Sequence, residues 1–106
     1  MVKPLSPQDL FVLAVLDDLR DYNIPETITP YYEARFDEML PLRSLYSSLS
    51  HLVSRDLCRR YTLIDSRYAR SSADMPRRFT RFRTDAYFKI TKAGSKIVGR
   101  REWRTI

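Results

Sequence analysis

LRSLYSSLSHLVSRDL, residues 42–57, is the stretch on which the reading of the whole chain turns. At about 100° per residue on a helical wheel, Leu42, Leu45, Leu49, Leu52, Val53 and Asp56 fall in one sector with Tyr46 at its edge. Arg43, Ser44, Ser47, Ser50, His51 and Ser54 fill the opposite side. Solvated helix faces ordinarily carry Glu, Lys and Gln, which cost little in helix propensity, whereas Ser competes for the backbone and weakens the helix. A polar side made of four serines, an arginine and a histidine therefore asks for a reason other than solubility. A helix lying against a polyanion supplies one. Short hydroxyls donate and accept at close range, where a carboxylate would be repelled.

Working outward, Ser6-Pro7-Gln8-Asp9 combines a capping residue, a proline for the first helical position and an acid for the first turn. A helix is predicted to start there and to run, on Leu10, Leu13, Ala14 and Leu16, to about Tyr22. Asn23-Ile24-Pro25 breaks it. Thr29-Pro30 repeats the cap-and-proline signature and predicts a shorter helix through Met39, followed by a helix over residues 42–56. Beyond it, residues 59–64 are aromatic and β-branched and read as a strand. Residues 67–77 lack periodicity, so a mobile tip is expected at about 69–78; residues 79–91 read as a second strand, with Ala86, Phe88 and Ile90 alternating. Thr91-Lys92-Ala93-Gly94 can cap a last helix running to about Trp103.

Charge is distributed unevenly along this order. Residues 1–40 carry a net −5, whereas 41–66, 67–88 and 89–106 carry +2, +4 and +5. A surplus confined to contiguous segments makes a directional field suited to a polyanion, nucleic acid first among them. Three helices, a two-stranded β-hairpin with a basic tip and a C-terminal helix form the order of an α+β winged helix-turn-helix domain. One such domain spans residues 1–106, with its wing at about 58–91.

At this point the residues resemble a known family, the PadR-like winged-helix transcriptional regulators. The similarity covers about half of the chain. It rests on Ser44-Leu45-Tyr46 with Leu49 and Leu52 at helical spacing, on Asp56-Leu57 closing the helix, and on Tyr87-Phe88-Lys89-Ile90-Thr91-Lys92-Ala93-Gly94 ending the wing. The resemblance implies a dimer on a palindromic operator. With the sequence ending at Ile106, the helical C-terminal dimerisation domain of many such regulators is expected to be missing, and the span between residues 64 and 87 is longer than their usual hairpin. Leu10, Phe11 and Trp103, on the first and last helices, are then the expected dimer contacts.

The expected DNA contacts divide in two. Arg43, Ser44, Ser47, Ser48 and His51 are placed to face base edges, Arg43 as the residue able to pair bidentately with guanine. Arg67, Arg70, Arg77, Arg78, Arg81 and Arg83 on the wing are placed to meet phosphates or a narrow minor groove. With one cysteine and one histidine, and glycine only at positions 94 and 99, neither a structural zinc site, an enzyme signature nor a phosphate loop is expected. No cofactor is expected either. Cys58 reads as a small apolar residue. No apolar stretch is long enough to span a bilayer, and a cytoplasmic protein without a membrane partner is expected. The leading expectation is a homodimeric repressor on an inverted-repeat, double-stranded operator. The alternatives are a winged-helix adaptor docking on RNA polymerase or another protein, and a nonspecific nucleic-acid-binding protein.

Overall fold

Ser6 opens the first helix, α1 (Pro7–Leu19), in the computed structural model, which describes residues 4–64, 67–70 and 86–100. Its hydroxyl accepts from the Asp9 amide while the Asp9 carboxylate accepts from the Ser6 amide, a reciprocal box that satisfies two otherwise orphaned donors. There follow α2 (Pro25–Phe36), α3 (Leu42–Ser54), β1 (Cys58–Ile64), β2 (Arg67–Arg70), β3 (Ala86–Ile90) and α4 (Lys92–Arg100), an α+β arrangement.

The second helix begins five residues earlier than Thr29-Pro30 predicts. Pro25 takes its first position, where a missing amide hydrogen costs nothing, and Pro30 is carried inside the helix. The reason lies just upstream. Asn23 pairs with Phe88 through two backbone hydrogen bonds of 3.0 and 2.8 Å, which fixes the chain as extended up to Ile24 and leaves Pro25 to start the turn.

The sheet is three-stranded, in the order β2-β1-β3, with both pairs antiparallel. Ala69 and Arg70, expected in a mobile tip, belong to β2 instead. Arg67-Tyr68-Ala69-Arg70 pairs antiparallel with residues 61–64, Arg67 opposite Ile64 and Arg70 opposite Tyr61. Asn23 extends the sheet beyond β3 as an isolated bridge.

Helix α1 lies at the centre. Val12, Leu13, Ala14, Val15 and Leu16 are all buried, since α2, α3, β3 and α4 pack around it. Leu45, Leu49 and Leu52 of α3, Ile28 and Tyr32 of α2, Cys58 and Phe88 of the sheet and Val98 of α4 complete the core. Burial pushes the Cys58 thiol well up, so it stays protonated and packs as an apolar residue.

Thr91 fastens the C-terminal end of α3, β3 and α4 together. Its amide donates to the Leu57 carbonyl and its hydroxyl to the Asp56 carbonyl, while the hydroxyl also accepts from the Gly94 amide as the cap of α4. A Cβ on Gly94 would stand 2.3 Å from the Leu57 carbonyl oxygen, so the threonine-to-glycine spacing is set by this close approach of backbones.

Candidate nucleic-acid interface

Helix α3 is strongly amphipathic, and its exposed ridge is Arg43, Ser47, Ser50 and Ser54, at spacings of four, three and four residues. No acid occurs in the helix. Arg43, at its first turn, makes no ion pair among the described residues. Just before it in the sequence, two apolar side chains reach solvent: Met39, 81% exposed, and Leu42, 47% exposed. Leu42 falls in the apolar sector of the wheel but precedes the point where α1 covers α3, so the structure corrects its expected burial.

The other polar flank of α3 is closed. Ser48 is buried; its hydroxyl accepts from Gln8 Nε2 at 2.8 Å and donates to the Asp9 carboxylate. Gln8 Nε2 also donates to the Ser44 carbonyl at 3.1 Å, and the Ser44 side chain is half-buried. His51 Nδ1 lies 2.6 Å from Asp9 Oδ2. Burial alone pushes the Asp9 carboxyl up, but hydrogen bonds from Ser48, the Ser6 amide and His51, together with the His51 charge, outweigh it and hold Asp9 below its ordinary value. An ionised carboxylate only accepts, so Nδ1 of His51 carries the hydrogen. Ser48 and His51, expected to face base edges, are instead corrected to a clamp that fixes α3 against the N-terminus of α1.

The five expected contacts thus resolve into three sets. Arg43 and Ser47 are presented outward, Ser44 is at the margin, and Ser48 and His51 are engaged with α1. The exposed face is turned from the expected one by about 60° on a wheel of 3.6 residues per turn. Ser50 and Ser54 join the exposed ridge in their place. The wheel already placed both on the polar side, but it could not say which edge of that side α1 would cover.

Arg67 and Arg70 lie in β2, where Arg70 pairs with Tyr61 and Arg67 with Ile64. Arg77, Arg78, Arg81, Arg83 and Trp103 lie outside the described residues. Leu10 is half-buried, and Phe11 is taken up within the chain, its ring stacked on Phe36 at 4.3 Å and tilted against Tyr32 at 6.4 Å. Tyr32 itself is a core residue whose hydroxyl donates to Glu38. Tyr31 and Arg35 meet Asp18 on the acidic side of the molecule. Among the described residues no helix is long and apolar enough to cross a membrane, and no cluster of His, Cys, Asp or Glu could hold a metal ion.

No protein-family model, no curated protein and no solved structure matches this chain.

Proposed function

We propose that the chain is a winged-helix DNA-binding protein, resembling the PadR-like regulators, that reads double-stranded DNA with α3. The observation that carries this reading is the ridge itself: Arg43, Ser47, Ser50 and Ser54 run the length of a rigidly held, acid-free helix. Arginine near the N-terminus of such a helix is the side chain best suited to guanine, and hydroxyls suit phosphates and base edges alike. Exposed Met39 and Leu42, just before Arg43 in the sequence, suit the methyl group of thymine. The order of elements, with Asn23 bridging β3 after α1 and the basic strands after α3, fits the same architecture.

On this reading the protein acts as a repressor that occludes a promoter, and it binds as a homodimer on an inverted repeat, which doubles the few base contacts a small domain can make. The test is a selection of bound duplexes from random sequence. An enriched motif of inverted-repeat form is the expected result. Recovery of unrelated sequences would leave only nonspecific binding, and no recovery would favour the protein adaptor.

A further inference from the structure

Away from α3, positive charge gathers where the outer face of the sheet meets α4. The register sets Arg59 opposite Lys89 and Tyr61 opposite Tyr87, so these four share the face turned away from the core, while Cys58, Arg60, Ala86 and Phe88 face inward. Tyr22 joins them from the connection between α1 and α2. Its ring meets that of Tyr61 edge-on at 4.9 Å, and Lys89 Nζ lies 4.6 Å from its centroid.

Two open clefts, of about 560 and 380 Å³, meet at Lys89, Ile90, Thr91 and Lys92. One continues past Arg20, Ser95 and Lys96, the other past Arg59 and Tyr61. Five cations therefore line one groove. Among the described residues the only acid lining it is Asp56, which Arg59 engages at 3.2 Å; Asp17, beneath Arg20, is buried and bound by Arg20 and Ser95. Lys92 and Lys96 make no ion pair among the described residues.

We propose that this groove binds a single strand of nucleic acid, its phosphates along Lys89, Lys92 and Lys96 and its bases against Tyr61 and Tyr87. Lysine ammonium groups serve as point charges for phosphates. Tyr61, which lines the groove, and Tyr87, opposite it in the register, are half-buried rings beside the lysines and suit stacking with an unpaired base, the combination that recurs in sequence-tolerant single-strand binding. An acidic polypeptide would use the lysines but gain little from the rings, and a duplex keeps its base faces stacked out of reach. The inference rests on the reading of the chain as a nucleic-acid-binding protein, but it uses a surface separate from the α3 ridge.

Fluorescence anisotropy of the full chain with a labelled oligothymidylate of about 12 nucleotides tests it, a length within the usual site sizes for such surfaces. The triple variant Lys89→Ala/Lys92→Ala/Lys96→Ala is expected to weaken binding at least tenfold and to lower the slope of log K against log salt by about two. Tyr61→Leu and Tyr87→Leu should each weaken it several-fold at unchanged slope, Tyr61→Phe should restore it, and Arg43→Ala should leave it unaltered. Circular dichroism melts establish that each variant is folded. Wild-type binding by the triple variant overturns the proposal, as does polyglutamate competing as well as the oligonucleotide. Silent tyrosine variants beside an equal loss of duplex and single strand also overturn it, reducing the groove to a phosphate contact. Loss of duplex binding in Arg43→Ala with the oligothymidylate retained separates the two surfaces; failure of the duplex selection with the oligothymidylate still bound would remove the α3 reading alone.

Discussion

Ser47 and Ser48 are neighbours in sequence and opposites in role. Ser48 is buried between Gln8 and Asp9 in the seam where α3 meets α1, whereas Ser47 stands on the exposed ridge with Arg43, Ser50 and Ser54. The same hydroxyl that wastes helix propensity on the ridge completes a hydrogen-bond network in the seam. What the contrast teaches is that the serine-rich character of α3 has two causes, one structural and one directed outward, and that substitutions must part them.

The largest effect is expected at the seam. Asp9→Ala removes the α1 capping box and leaves Ser48 and His51 without their shared acceptor, which should destabilise the fold by about 3 kcal/mol. For a domain of this size that corresponds to a fall in Tm of roughly 15 °C. The same carboxylate sets an acid limit. Because its folded pKa lies below the ordinary 3.8, its contribution is present in full above that value and is lost as pH falls through the folded one. The difference in stability between wild type and Asp9→Ala should therefore hold at neutral pH and narrow only in acid, as urea denaturation at a series of pH values will show. A difference that instead widens as the pH falls from 7 to 5 would contradict this account of Asp9.

On the ridge, the corresponding test is a binding measurement. Arg43→Ala should cost about 2 kcal/mol on the selected duplex while leaving unrelated DNA nearly unaffected and the Tm unchanged. Equal losses on both duplexes would mean that Arg43 meets phosphate and that sequence is read elsewhere. Ser48→Ala should show the reverse pattern. Stability should fall by about 1.5 kcal/mol, because Gln8 and Asp9 each lose a buried partner, and intrinsic DNA contacts are untouched.

Much of this arrangement is legible in the chain before it folds. Ser6-Pro7-Asp9 marks the start of α1 because capping depends on residues within one turn of each other. Thr91 and Gly94 mark α4 for the same reason, although the glycine is demanded by Leu57, which only the fold brings near. Periodicity likewise gave α3 its apolar face. It could not rank Ser48 below Ser50, since the choice depends on where Gln8 and Asp9 of α1 come to rest. Nor could it choose between Pro25 and Pro30 as the start of α2, because Asn23 is held by Phe88 from the far end of the chain. The strand β2 escaped because four residues are too few to show alternation against a background of arginine. Local signals were readable, and partners distant in sequence were not.

The smallest predicted effect is also the one that distinguishes the two serines most directly. Ser47 is exposed and contributes nothing to the core, while alanine is the better helix former, so Ser47→Ala should raise stability by about 0.5 kcal/mol, a shift of a few degrees in Tm. If the ridge lies against DNA, the same substitution removes a hydroxyl contact and should weaken operator binding by about 1 kcal/mol, roughly fivefold. Opposite signs in one variant cannot come from a general loosening of the helix, which would lower both. A gain in Tm with unchanged operator affinity would show that Ser47 faces only water, and with Ser50→Ala and Ser54→Ala also leaving operator affinity unchanged, the ridge would lose its claim to the groove. A fall in Tm would instead mean that Ser47 has a partner within the chain, and the contrast with Ser48 would disappear.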